Sequence, residues 1–235
     1  VTFRRWITAD ESRVAGWYRS AITIGPEPKP IRTGATIHSI CVTRGPLATM
    51  KLHCRVYGGE HDEKLNRIHS NTETMQKWVN LYDSMLDAFK GRGMCCTLDS
   101  AYMGDTLGQI ARDIWLMNMV GTCQSDRSGG GYASKEDKKR MKVGTYDSII
   151  YQHRVKNLCF AMWSDNNIVK TLSNFHSPIV LEEGAGMLRR RRIDGLREQQ
   201  QTAVSCPLQQ KDYSETFHLI DKGNGKESKY DMGGQ

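Results

Sequence analysis

Residues 3–12 read FRRWITADES, and the predicted fold is built outward from this stretch. Its first seven residues are rich in aromatic and β-branched types, which favours a strand, and Asp10 and Glu11 follow directly. Residues 94–99, MCCTLD, repeat the arrangement, because a short apolar run ends in Asp99. The sequence therefore predicts two strands that each deliver an acid at the carboxyl end.

Further elements are predicted between and after these two strands. Residues 35–43 and 48–57 flank a Gly-Pro turn and predict a β-hairpin. Ser70 and Glu73 have the spacing of a capping box, which predicts a helix that stops in the glycine-containing turn at 91–93. After the strand at 94–98, the pattern predicts a helix at 107–115 and a strand at 117–123. The predicted order is thus β-β-β-α-β-α-β.

The composition of the chain changes after residue 128. Three glycines at 129–131 and a charged run precede two strand-like stretches, at 147–163 and 167–175. We expect this part to project from the core as a strand-rich lobe. The first part of the core, the insertion lobe and the truncated continuation of the core are predicted over residues 1–128, 129–205 and 206–235.

The late part of the chain carries a basic run and a third candidate acid. Arg189–Arg192 lie in a polar segment, which predicts a loop or a marginal helix. Pro207 is placed to open a last helix, on which Tyr213 and Phe217 share one face and Asp221 lies beside it.

Composition limits the partner and the compartment. Lys and Arg outnumber Asp and Glu by 33 to 26, for a net charge of +7, which favours a polyanionic partner. Seven cysteines without C-x-x-C spacing argue against a disulfide framework and a zinc site, and favour a reducing compartment. No apolar run approaches the ~20 residues that span a bilayer, so no membrane partner is expected. Because the chain begins at Val1 and is strand-like at once, we expect it to be a fragment.

Acids at the ends of the first and fourth strands, with a third on a late helix, form the layout of ribonuclease H-like nucleotidyl transferases. Two divalent ions about 4 Å apart need rigidly held oxygen ligands, one ion activating the attacking hydroxyl and the other stabilising the leaving oxygen. Composition alone leaves the alternative that any of the 26 acids is a solvated surface charge. The predicted fold class is α/β, a ribonuclease H-like mixed sheet flanked by helices, with a strand-rich insertion.

Two sequence motifs extend around the predicted acids. The first consists of Asp10-Glu11-Ser12, followed by Lys29-Pro30-Ile31-Arg32-Thr33-Gly34 and Tyr57-Gly58-Gly59. The second is LDSAY at residues 98–102, followed by an amphipathic helix pattern and by Gly121-Thr122 at the end of a strand.

A third motif completes the series and comprises Asp212-Tyr213 and HLID at residues 218–221. In these three motifs, and in their order, the chain resembles the catalytic domain of piggyBac-type transposases over nearly its whole length.

The resemblance implies a metal-dependent enzyme that cuts DNA and rejoins it, with two Mg²⁺ or Mn²⁺ ions held by Asp10, Asp99 and Asp221. A further acid of the family falls on Asn224, which offers an oxygen without a charge. The implied partner is double-stranded DNA, at transposon ends and at the target; the implied location is the nucleus, and a homodimer is permitted. The residues assigned to DNA contact are Lys29, Arg32, Arg127, Arg189, Arg190, Arg191 and Arg192.

Alternatives remain for the third acid and for the function. Residues 230–234, YDMGG, also echo a family motif, and that alignment would place the third acid beyond Gln235. The apolar pair before Asp221 and the upstream Asp-Tyr favour Asp221 instead. Asn224 and several lost basic positions favour a domesticated relative with the fold and some DNA affinity but no catalysis, whereas three retained aspartates favour the enzyme. An unrelated basic α/β binding protein would require the ordered motifs to be coincidental.

Overall fold

The fold is given by a computed structural model of the 235-residue chain, which consists of two compact units. The residues that the structure describes are 6–15, 22–23, 33–56, 73–124, 135–153, 157–192 and 199–219. Unit 1 comprises residues 1–98, 115–117 and 216–235, and unit 2 comprises residues 99–114 and 118–215.

Unit 1 is built on a mixed sheet with the strand order β2-β3-β1-β5, and β4 also pairs with β3. The pairing of β1 with β3 is antiparallel, and that of β1 with β5 is parallel. Its elements are β1 (Trp6–Ala15), β2 (Ile22–Thr23), β3 (Thr33–Val42), β4 (Lys51–Val56), α1 (Glu73–Met85), a short 3-10 helix (Asp87–Phe89) and β5 (Cys95–Leu98).

The core of unit 1 forms around β5, in which all four residues are buried. The i, i+3, i+7 spacing of Val79, Tyr82 and Leu86 gives α1 and the residue after it a buried stripe, as the amphipathic pattern predicts. This helix ends at Met85, before the predicted stop. The glycine turn follows the 3-10 helix instead, and Gly91 adopts a φ of 68°, a conformation that favours glycine.

Unit 2 contains an antiparallel sheet with the strand order β6-β9-β8-β7 and two separate strand pairs, β10 with β13 and β11 with β12. Its elements are α2 (Asp105–Asp113), β6 (Asn118–Thr122), α3 (Lys135–Arg140), β7 (Ser148–His153), β8 (Leu158–Ser164), β9 (Ile168–Ser173), β10 (Val180–Leu181), β11 (Met187–Arg192), β12 (Gln199–Val204), β13 (Cys206–Pro207) and α4 (Leu208–Thr216).

The strands predicted within the insertion are present, but their arrangement differs in detail from the pattern. The stretch 147–163 forms two strands, β7 and β8, and Asn157, directly before β8, has a φ of 46°. Strand β8 lies between β7 and β9 in the sheet, and it is buried along its whole length. The boundaries of the insertion, at residues 129 and 205, stay a prediction.

The prediction of a loop or marginal helix for the arginine run is wrong. Residues Arg189–Arg192 belong to β11, which pairs antiparallel with β12 from Met187↔Val204 to Arg192↔Gln199. Both partner segments are polar, so neither shows the alternation of apolar residues that marks a half-buried strand. The pairing between the two segments decides the conformation here.

A buried asparagine fixes β6 against α2 within unit 2. The backbone N–H of Met119 donates to Asn174 Oδ1 at 2.7 Å, and Asn174 Nδ2 donates to the carbonyl of Gly108 at 3.0 Å. Because both backbone groups are buried and satisfied by one side chain, the start of β6 has little freedom to move, and pairing with β9 fixes the strand from Val120 to Thr122. This rigidity matters for Thr122, the last residue of the strand.

The cysteines form no disulfide, and two of their buried thiols stay protonated. All seven cysteines are free, and burial raises the pKa of both Cys96 and Cys159 to about 12, so these thiols stay protonated at neutral pH. No helix within the described ranges is long and apolar enough to cross a membrane.

Candidate active site

The parallel pair β1 and β5 sets the position of the two predicted aspartates. Its register runs from Trp6↔Cys95 to Ala9↔Leu98. Asp10 and Asp99 are the next residues in the chain after Ala9 and Leu98. Each acid therefore directly follows the last paired residue of its strand.

Asp10 lies inside a strand and not at its end, which corrects the sequence prediction. Strand β1 continues to Ala15 because β3 pairs with it beyond the end of β5, with Asp10 opposite Ser39. The side chain of Asp10 is half-buried, and its Oδ1 accepts a hydrogen bond from the backbone N–H of Glu11 at 2.8 Å. The sheet thus fixes the backbone position of Asp10.

Asp99 is held by a turn and by two hydrogen bonds to one of its carboxylate oxygens. Its backbone carbonyl accepts from the N–H groups of Tyr102 at 3.0 Å and Met103 at 2.9 Å, and both side chains are buried. Oδ1 accepts from the backbone N–H of Ser100 and from Thr122 Oγ1, the latter at 3.3 Å. Within the described ranges, Oδ2 accepts no hydrogen bond and remains available to a ligand.

Polar residues of unit 2 form two hydrogen-bonded groups that end on neighbouring positions of α4. The hydroxyl of Thr122 lies 3.3 Å from the hydroxyl of Tyr213. His176 Nε2 lies 3.0 Å from Asp212 Oδ2, and His176 Nδ1 lies 2.8 Å from Ser173 Oγ. The sequence motifs include Thr122, Asp212 and Tyr213 without giving them a role, and His176 belongs to none of the motifs.

Most of the other predicted site residues lie outside the ranges that the structure describes. Asp221, Asn224, Lys29, Arg32 and Arg127 lie outside the described residues, as do the side chains of Arg190–Arg192.

Arg189 is described and is engaged within unit 2. Its Nε donates to Asp165 Oδ2 at 2.9 Å, and its guanidinium lies 5.2 Å from the centre of the Trp163 ring. Its charge is thus paired and its planar group stacked within unit 2, and its assignment to DNA contact stays a prediction.

Carboxylate oxygens are the ligands that Mg²⁺ and Mn²⁺ prefer, and Asp10 and Asp99 are of this chemical type. Across the described part of the chain, no group of three or more His, Cys, Asp or Glu side chains is arranged to hold a metal ion. Asp221, the third ligand that the sequence predicts, lies outside the described residues. The donor set fits the predicted ions in chemistry.

Comparisons with known proteins bear on the family and the fold of the chain. A protein-family model described as Transposase IS4 matches residues 19–234. Among solved structures, the chain is similar to a piggyBac transposase in a synaptic complex with hairpin DNA, at a TM-score of 0.67 and 16% sequence identity. This match covers 97% of the present chain and 41% of the transposase chain, and it confirms the predicted ribonuclease H-like fold class. No curated protein matches the sequence.

Proposed function

Because the chain belongs to the Transposase IS4 family, we propose that it forms a transposase catalytic core that cleaves and joins DNA strands with two divalent metal ions. The metal ligands in this proposal are Asp10, Asp99 and Asp221. The observation that carries it is the parallel register Ala9↔Leu98, because the next residue in the chain after each of these two is an aspartate.

The residues of the chain have distinct tasks in this proposal. Asp10 and Asp99 bind the ions, and the hydrogen bonds on Asp99 Oδ1 leave Oδ2 for coordination. Two bound Mg²⁺ or Mn²⁺ ions supply activation of the attacking oxygen and stabilisation of the leaving oxygen in an in-line displacement. Strand β1 holds Asp10 and the turn after β5 holds Asp99, so both residues are positioned without a conformational cost at the moment of reaction.

Double-stranded DNA is the proposed partner, in the nucleus, and a homodimer is compatible with this role. The net charge of +7 supports a polyanionic partner, and the similar piggyBac transposase was solved with hairpin DNA. The ribbon of β11 and β12 places Arg190–Arg192 opposite Gln199–Gln201, and these residue types commonly bind phosphates and base edges.

The proposal is tested by incubating the chain with supercoiled plasmid and Mn²⁺ or Mg²⁺, and by recording its melting temperature with and without metal. We expect metal-dependent nicking that a chelator stops. Binding to the folded state alone stabilises it by roughly 2.7 kcal/mol at a hundredfold excess over Kd. Salt-sensitive DNA binding without nicking and without metal stabilisation would favour the domesticated, inactive relative instead.

Replacing Arg190, Arg191 and Arg192 together by Ala is expected to weaken binding to duplex DNA at low salt. Because each lost phosphate contact removes released counterions, the slope of log K against log salt should become shallower by about 0.9 per contact. Fluorescence anisotropy over a salt series measures both quantities.

The matched control removes the same charge from exposed residues of the same unit, by replacing Lys139, Arg140 and Lys142 with Ala. It separates a local contact from an effect of net charge. An equal change of slope in both triple variants would refute a specific role of β11.

A further inference from the structure

We infer that Thr122 and Tyr213 are positioning residues for Asp99, and that α4 orients this carboxylate through a directed chain of hydroxyl groups. The inference rests on the proposed function, because it gives a task to a carboxylate that is proposed to bind metal. All the residues involved belong to unit 2.

The direction of the chain follows from donor and acceptor chemistry. An ionised carboxylate only accepts hydrogen bonds, so the hydrogen between Thr122 Oγ1 and Asp99 Oδ1 belongs to the threonine. A threonine hydroxyl has only one hydrogen to donate. In the contact of 3.3 Å between the two hydroxyl groups, Tyr213 is therefore the donor and Thr122 the acceptor.

Both hydroxyl-bearing residues of this chain are held by the surrounding structure. Thr122 closes β6, where Met119 and Val120 are fully buried, and it pairs in register with Thr171 of β9. The ring of Tyr213 is also buried. The Thr122 hydroxyl thus has one well-defined donor and one well-defined acceptor, and it fixes the rotation of the Asp99 carboxylate together with the N–H of Ser100.

Helix α4 is itself anchored to β9 and to the turn after it. Gln209 Nε2 donates to the Thr171 carbonyl at 3.0 Å and to its hydroxyl at 2.8 Å. Ser173 Oγ accepts the backbone N–H of both Phe175 and His176, so its own hydrogen goes to His176 Nδ1. His176 Nε2–H then donates to Asp212 Oδ2 at 3.0 Å. This second chain ends one residue before Tyr213.

The two hydrogen-bond chains fix the orientation of the Asp99 carboxylate, which packing alone does not do. Partners that orient a metal ligand commonly contribute about 10–100-fold to metal affinity or activity. Removing the Thr122 hydroxyl lets the Asp99 carboxylate rotate about its side-chain bond, and removing the Tyr213 hydroxyl lets Thr122 turn away. Both substitutions should therefore change the Mn²⁺ dependence of melting temperature and nicking, while the protein remains folded.

The test compares Thr122→Val, Thr122→Ser and Tyr213→Phe with the unmodified chain in Mn²⁺ titrations, followed by melting temperature and by plasmid nicking. We expect Thr122→Val to raise the Mn²⁺ concentration for half-maximal response by about 10–100-fold and Tyr213→Phe by about tenfold. Thr122→Ser should restore the response, because it keeps the hydroxyl. Tyr151→Phe is the matched control, since it removes a tyrosine hydroxyl that donates to Asp137 elsewhere in unit 2.

The outcomes separate the two proposals. An unmodified chain without any Mn²⁺ response would overturn the proposed function, and the positioning role with it. A responsive unmodified chain whose Thr122→Val and Tyr213→Phe variants match it would overturn the positioning role alone. If Thr122→Val unfolds, Tyr213→Phe decides, because it removes one oxygen from a ring that otherwise keeps its packing.

Discussion

Asp99→Asn is expected to reduce metal-dependent DNA cleavage by more than a factor of about 100. Loss of an outer partner of a metal ligand already costs about 10–100-fold, so loss of the charged ligand itself should cost more. The substitution is nearly isosteric, and the amide oxygen can still accept from Ser100 N–H and Thr122 Oγ1. Stability and DNA binding should therefore change little. Plasmid nicking under single-turnover conditions measures the effect.

Asp105→Asn is a matched control for this variant. Asp105 is also half-buried in unit 2, and its Oδ1 accepts the backbone N–H of the following residue at 2.8 Å, as Asp99 does. The same chemical change at this position should leave cleavage within about twofold, as expected for a surface substitution. If Asp99→Asn retained cleavage at the level of Asp105→Asn, a metal-ligand role for Asp99 would be excluded.

The local part of the site was predictable from the sequence, and the resemblance to piggyBac-type transposases is confirmed. Strand β5 was predicted correctly because four apolar or small residues followed by an acid form a signal within one short segment. The position of Asp10 was only half right. The apolar run of β1 ends at Ala9, but the strand extends to Ala15 because it pairs with β3. The sequence of residues 10–15 alone does not predict this extension.

Contacts between distant residues explain what the sequence did not reveal. Thr122 and Tyr213 are 91 positions apart, and His176 and Asp212 are 36 apart, so no spacing rule links them. The signal that existed was indirect, since Gly121-Thr122 and Asp212-Tyr213 already stood out as motifs. The prediction for the arginine run was wrong for the same reason, because the conformation of β11 depends on a partner strand and not on its own sequence pattern.

The second large effect is expected on stability, at the glycine immediately before β11. A Cβ atom on Gly186 would lie 1.7 Å from the carbonyl oxygen of Val204 and 2.8 Å from its carbonyl carbon. Both are backbone atoms of β12, so no side-chain rotation can relieve the overlap. Gly186→Ala must therefore push β11 and β12 apart where their pairing begins, at Met187↔Val204.

Strands β11 and β12 contribute to a small hydrophobic core, and the packing of this core determines how much Gly186→Ala destabilises the protein. Met187, Val204 and Cys206 are buried together with Trp163, whose indole N–H donates to the Ser205 carbonyl at 2.9 Å. Overpacking of a core costs about 1–3 kcal/mol, and loss of strand pairing and of this hydrogen bond adds to it. We expect Gly186→Ala to destabilise the protein by about 3 kcal/mol or more, measured by urea unfolding with tryptophan fluorescence.

Gly184→Ala separates this steric effect from the conformational cost of replacing glycine. Gly184 has a φ of 94°, and a Cβ atom there would meet no atom within 4 Å. Its replacement should therefore cost only the strain of the left-handed region, about 1–2 kcal/mol. If Gly186→Ala proved no more destabilising than Gly184→Ala, the close approach of the two strands would not be a feature of the folded protein. A clear excess for Gly186→Ala would show that the ribbon carrying Arg190–Arg192 is a fixed part of unit 2 in solution, as a preformed DNA-binding ribbon requires.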